Sequence, residues 1–273
     1  MTLARLDRIV LVGAGRMGGA LLEGWLANGL APSAITVVDP APAEQVKARA
    51  GSRGVTFVAD ASGLGAARTI VLAVKPQMMA QVLAGLRASA GRGSLALSIA
   101  AGQTIGDVEH GLGHGGAVVR AMPNTPAAIG RGISVLVANA AANADQRATA
   151  DALMSAVGAV EWIDDEGLMD AVTAVSGSGP AYVFLLSECL AEAGVAAGLE
   201  APLAARLARH TVAGAGALID ASAEEPAQLR ENVTSPGGTT EAALKVLMAG
   251  DGLGALMRRA VAAAARRGRE LAG

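Results

Sequence analysis

The run Gly13-Ala14-Gly15-Arg16-Met17-Gly18 follows a short apolar stretch and opens a helical pattern. Glycines at these three places have separate duties. The first permits a tight turn, the second lets a ligand approach the backbone, and the third lets helix pack on strand. A pyrophosphate then sits at the helix N-terminus, where free N–H groups and the helix dipole favour negative charge. The plainer alternative is a glycine-rich strand-to-helix turn that holds nothing; its place after the first strand favours the dinucleotide. Asp39 ends the second strand. It can accept both ribose hydroxyls of NADH and repels the 2′-phosphate of NADPH. Pro40, Ala41 and Pro42 follow with no Arg to hold that phosphate, so NADH is favoured over NADPH; the bland reading of Asp39 is a helix cap. Three further turns fall at the carboxyl edge where open α/β sheets bind ligands. They are Ala73-Val74-Lys75-Pro76, Ala100-Ala101-Gly102 and Met122-Pro123-Asn124-Thr125-Pro126.

Two segments of the second half also stand apart. Ser176-Gly177-Ser178-Gly179-Pro180 reads as a helix start with exposed N–H groups, or as a plain turn between helices. Asn232-Val233-Thr234-Ser235-Pro236-Gly237-Gly238-Thr239-Thr240 combines an abrupt turn with two threonines ahead of a helix. Backbone N–H groups and hydroxyls of Thr239 and Thr240 form a compact anion cradle there, sized for a small carboxylate. The simpler alternative is N-capping by either threonine.

The elements that position these residues change character along the chain. Strand patterns fall at residues 8–12, 35–39, 55–58, 69–74, 94–99, 117–121, 133–138 and 159–163, with helical stretches at 16–27 and 77–88. This alternation predicts an α/β Rossmann-type doubly wound domain over residues 1–163, with a parallel sheet and helices on both faces. From residue 164 to 273 the texture is helical, clearest at 181–197, 202–221, 240–249 and 253–271. Polar residues are too few to cover every face of these helices, so we expect an all-α dimerisation domain.

Composition closes off other classes. The 22 basic and 24 acidic side chains leave a net charge of −2, without the basic excess that nucleic-acid binding needs. Only Lys47, Lys75 and Lys245 are lysines, so a catalytic lysine has few candidates. The lone cysteine, Cys189, excludes an intrachain disulfide, fits a cytoplasmic compartment, and reads as a small core residue. No long uncharged apolar run suggests a membrane span, and we expect no secretory leader. His110, His114 and His210 lie outside every motif and at no metal-ligand spacing, so no metal is expected. His110 and His114 read as solvated, and the arginines of the last helix as complements to its negative end.

Taken together, GAGRMG, AVKP, MPNTP, DAVTAVSGSGPAY and VTSPGGTT resemble the pyrroline-5-carboxylate reductase family, in order and spacing, over nearly the whole chain. The resemblance implies hydride transfer from NAD(P)H to a ring imine, giving proline. It implies helical domains that interlock in a homodimer, with dimers assembling into a ring. It places the substrate carboxylate on Thr239 and Thr240, in a loop shaped by Ser235, Gly237 and Gly238. Asn232 then borders both nicotinamide and substrate, Glu166 lies near the bound amino acid, and Lys75, Ala100, Ala101 and Asn124 join the cofactor contacts. Asp39 and Asp60 depart from the residues that many relatives use toward NADPH.

A protonated imine carbon is already electrophilic, so the protein need only hold it against the nicotinamide. We expect Thr240 to hold the water that protonates the product nitrogen. The alternatives are a β-hydroxyacid dehydrogenase, which needs a general base such as Lys on a long helix, and a dinucleotide-binding protein without catalysis. Lys245, in the short helix after SPGGTT, suits the first poorly.

Overall fold

The computed structural model describes residues 2–272. Among them, eight strands form one sheet: β1 (Ile9–Val12), β2 (Ile35–Val38), β3 (Thr56–Val58), β4 (Thr69–Leu72), β5 (Leu95–Ser98), β6 (Ala117–Met122), β7 (Gly132–Ala138) and β8 (Gly158–Trp162). The helices are α1 (Arg16–Ala27), α2 (Glu44–Gly51), α3 (Met79–Leu86), α4 (Ile105–Leu112), α5 (Ala144–Ser155), α6 (Met169–Val172), α7 (Gly179–Ala196), α8 (Ala201–Ala221), α9 (Pro226–Asn232), α10 (Thr239–Leu247) and α11 (Leu253–Ala272).

The strand order is β3-β2-β1-β4-β5-β6-β7-β8. The order reverses between β1 and β4, which opens a crevice beyond their carboxyl ends. Strands β1 to β6 run parallel, with Ile9 opposite both Ile35 and Thr69. The expected parallel sheet is present, with one exception: β7 runs antiparallel to β6, and β8 follows β7 in parallel. Residues 123–131 hold only a short 3-10 turn, Thr125–Ile129, too little chain for a parallel crossover.

Strands β1, β4 and β5 are buried on both faces, as parallel strands between helices should be. Ile9 and Leu11 face Leu21, Leu22, Trp25 and Leu153. Val10 and Val12 face the other way, toward Met79, Leu83 and Leu112. Each such side chain contributes about 1.5–3 kcal/mol by leaving water. Trp25 also donates from Nε1 to the Leu153 carbonyl at 2.8 Å, so its one polar atom is satisfied in the core.

The chain divides into two compact units, Met1–Gly177 with Ala264–Gly273, and Ser178–Ala263. Strand patterns end at residue 163, but the division falls later because α6 and the turn after it belong with the sheet. The second unit has almost no interior: only Ala204 and Ala208 are buried there, and Phe184, Leu186, Leu207 and Leu218 are exposed. Cys189 is exposed too, so it is no core residue of the single chain. His114 is half-buried rather than solvated: its Nε2 lies 2.7 Å from the Ala90 carbonyl and its Nδ1 accepts from Gly116 N–H at 3.1 Å. No described helix is long and apolar enough to cross a membrane.

Candidate active site

The first glycine of the cofactor motif is required by its backbone. Gly13 has φ of +91°, and a Cβ there would stand 2.7 Å from the Ala73 carbonyl. Gly18 is pressed onto the Gly13 carbonyl, leaving no room for a side chain. Gly15 is different: a Cβ would meet nothing within 4 Å. It is the N-cap of α1 and makes no side-chain cap, so the N–H groups of the first turn remain open. Two glycines thus serve close packing and the third leaves space for a ligand, which is the division of labour a pyrophosphate site needs.

Asp39 holds this loop. Its Oδ2 accepts from Ala14 N–H at 2.7 Å and its Oδ1 from Ala41 N–H at 2.9 Å. Each oxygen has a second lone pair for a ribose hydroxyl. Asp60 follows β3, the neighbouring strand, and Asp39 N–H bonds the Val58 carbonyl at 3.0 Å. The hydroxyl and N–H of Ser62 both donate to Asp60 and hold its carboxyl below the usual carboxylate range. It stays charged at neutral pH. Lys75 is exposed at the end of Ala73-Val74-Lys75-Pro76, Ala100 is buried and Ala101 exposed. Arg16 and Met17 open α1. Asn124 accepts from Ile133 N–H at 3.0 Å, which ties the 122–126 turn to β7. The fold therefore brings Gly13, Ala14, Gly15, Arg16, Met17, Gly18, Asp39, Ala73, Val74, Lys75, Pro76, Ala100, Ala101 and Asn124 to one sheet edge.

The second cluster lies around the start of α10. Gly237 has φ of +71°, and a Cβ on Gly238 would stand 2.5 Å from Ser235 Oγ. Gly238 is the N-cap, so Thr239 and Thr240 are helical residues; the capping role the sequence offered them is not what they do. No described group accepts the N–H of Thr239 or Thr240. Glu241 reaches back to Gly237 N–H at 2.6 Å and lies 3.4 Å from Lys245 Nζ. Lys245 is thereby engaged on an exposed turn, a poor general base for a hydroxyl substrate. Asn232, at the end of α9, is held from both sides. Its Nδ2 donates to Glu224 Oε2 and its Oδ1 accepts from Gln228 Nε2, each at 2.9 Å. Neither holding residue was visible as a motif.

A helix does start within 176–180, as expected: α7 begins at Gly179 with Pro180 in its first turn, but it continues from a π-helical turn, Thr173–Gly177, and Ser178 ahead of it lies in helical backbone without a side-chain cap. Pro180 lies in the first turn of α7, where a missing N–H costs little. The Ser176 hydroxyl is buried there without a hydrogen-bond partner among the described residues. Among the described residues no group of His, Cys, Asp or Glu is placed to hold a metal ion.

Residues 166–271 match the family described as pyrroline-5-carboxylate reductase dimerisation, and residues 8–102 match NADP oxidoreductase, coenzyme F420-dependent. The pyrroline-5-carboxylate reductase of Pseudomonas aeruginosa is 45% identical, over 97% of each chain. The chain belongs to the pyrroline-5-carboxylate reductase family. The Coxiella burnetii member has a solved structure that is 38% identical, with a TM-score of 0.91 over 98% of this chain and 100% of that one. A Plasmodium falciparum pyrroline carboxylate reductase solved with NADP bound is 29% identical, with a TM-score of 0.83 over 99% of each. As in the family, the Rossmann-type unit is followed by a helical dimerisation region, and the protein is a homo-oligomeric oxidoreductase.

Proposed function

We propose that this protein reduces the C=N bond of pyrroline-5-carboxylate to give proline. The observation that carries the reading is the pair of open N–H groups at Thr239 and Thr240, preceded by Gly237, which faces open space, and Gly238, which packs against Ser235. A small carboxylate completes that helix start, and favourable dipole and hydrogen bonds hold it without an arginine. When bound at the Gly13–Gly18 loop, a reduced nicotinamide dinucleotide supplies the hydride that the imine carbon accepts. The chain's own part is to orient and exclude. Ser235 and the two glycines shape the carboxylate cradle. Asn232, fixed by Glu224 and Gln228, borders both ligands. The C–H bond forms as the C=N π bond of the protonated imine is lost, and the electron pair left on the ring nitrogen takes a proton from water that the Thr240 hydroxyl positions. Lys75, Ala100, Ala101 and Asn124 line the dinucleotide.

The preferred dinucleotide in this reading is NADH. Asp39 and Asp60 place two carboxylates at the ends of β2 and β3, and Pro40, Ala41 and Pro42 offer no cation for a 2′-phosphate. The cofactor region is taken as 1–163 and the substrate and dimerisation region as 164–273. The reading further has dimers assembling into a larger ring, in the cytoplasm, where a lone exposed cysteine stays reduced.

The test is loss of reduced-nicotinamide absorbance with racemic pyrroline-5-carboxylate, run separately with NADH and NADPH. Turnover faster with NADH supports both the reaction and the role of Asp39. Turnover faster with NADPH keeps the reaction and sinks the Asp39 argument. No turnover with either overturns the function.

A further inference from the structure

Arg120 is anomalous in its strand. Its β6 neighbours are Val119 and Ala121, and only 6% of its surface is exposed. An arginine keeps its charge under all ordinary conditions and is rarely buried unless paired. The partner is Glu166: Arg120 Nη1 donates to Oε1 at 2.9 Å. The same oxygen accepts a second bond, from Ile105 N–H, also at 2.9 Å. Ile105 is the first residue of α4, so its N–H has no acceptor within that helix. Both lone pairs of Oε1 are therefore taken.

One carboxylate oxygen thus joins three stretches. They are the end of the 100–104 turn, the strand that leads into the 122–126 turn, and the start of the connector that runs to Ser176. The strand and the connector meet again further on. Met122 Cε lies 2.7 Å from the point where a Cβ on Gly177 would stand, so the tip of the Met122 side chain rests on the Gly177 backbone. The two turns that line the cofactor edge are consequently set against each other through Glu166, with the connector pinned at both ends.

The geometry points to Arg120 and Glu166 as a coupled pair of positioning residues, which hold the 100–104 and 122–126 turns in register for the dinucleotide. Glu166 acts here through the framework, not by touching the substrate. The kinetic part rests on the reductase reading; the binding part does not.

The test uses Arg120→Met, Glu166→Gln, the double variant and Arg120→Lys. NADH affinity is measured by calorimetry, with kcat, both KM values and the thermal unfolding midpoint alongside. Each of the first two substitutions weakens NADH binding about five-fold and lowers kcat about ten-fold, as small misplacement of a reacting pair does. KM for pyrroline-5-carboxylate stays within about two-fold, and the double variant is no worse than the worse single, as coupled neighbours behave. Arg120→Lys, which keeps the charge, recovers most of the affinity. Three results overturn the proposal: losses that multiply in the double variant, a substrate KM raised by Glu166→Gln alone, or a lowered unfolding midpoint with NADH binding unchanged. Because binding is read without turnover, a wild-type protein that binds NADH but reduces nothing defeats the reaction and still decides the pair.

Discussion

Gly15 and Gly18 stand three positions apart in one motif and fail differently when given a methyl group. At Gly18 the new Cβ runs into the Gly13 carbonyl, so backbone must move and stability falls by about 1–3 kcal/mol. At Gly15 the Cβ enters open space. We expect Gly15→Ala to unfold in denaturant within about 1 kcal/mol of the wild type while its KM for NADH rises at least several-fold; unchanged KM means the space is not the ligand's. Thr240→Ala is the companion experiment at the other cluster. It should lower kcat/KM by about 100-fold, the low end for a lost proton-transfer contact, and leave NADH affinity within about two-fold. Lost NADH affinity with intact turnover would sink the assignment. These residues were legible because backbone chemistry demands their type: a positive φ, a close approach, or an open helix start selects glycine or threonine at fixed spacing. The locks on Asn232 were not. Gln228 stands at helical i,i+4 spacing from Asn232, which marks a pair only once α9 is recognised as a helix, and Glu224 reaches it from before that helix, eight positions away. Arg120 lies between: a charge inside an apolar strand is a visible anomaly, but its partner is 46 positions away.

Whole elements were readable to the degree that their pattern is long or their boundary chemical. Helix α1 matches its sequence pattern at both ends, having a wide apolar face that buries Leu21, Leu22 and Trp25. Helix α4 is short and α5 no longer than α1, and each opens on a reciprocal cap, Thr104 with Asp107 and Asn143 with Gln146, a signal present in the sequence. Helix α2 has neither a cap nor a strong face, and so no local pattern distinguishes it. The reversal at β7 depends on how little chain follows β6, a matter of length that alternation of strand and helix does not encode. Trp25 tests how much one element rests on another. It is fully buried in α1 and bonded to the Leu153 carbonyl of α5. Trp25→Ala should reduce unfolding free energy by about 3–5 kcal/mol, measured by urea denaturation, and Trp25→Phe by less. Equal losses would mean that a phenyl ring recovers none of the stability at this site, and that the bond to the Leu153 carbonyl and the full indole shape carry it.

At the scale of the whole molecule, the two units differ in whether they own an interior. The sheet unit buries apolar side chains on both faces, whereas the helical unit exposes Phe184, Leu186, Leu207, Leu218 and Ile219 and buries little beyond two alanines. Small helical arrays of that kind gain too little from burial to offset chain entropy alone. Folding of this unit should therefore be linked to pairing with a second copy, which makes its stability depend on concentration. Calorimetry at increasing protein concentration should move one unfolding transition upward. Leu186 and Leu207 are each 49% exposed in the single chain. Replacing both with Asp removes about 1.5–3 kcal/mol of burial per site from each copy and adds charges to an apolar interface. Ultracentrifugation of that variant should show a monomer, with helical circular dichroism reduced and no turnover. Its sheet unit, whose core lacks these residues, should still bind NADH. A variant that stays dimeric would mean the partner covers other faces, and one that loses NADH binding as well would mean the sheet unit does not stand by itself.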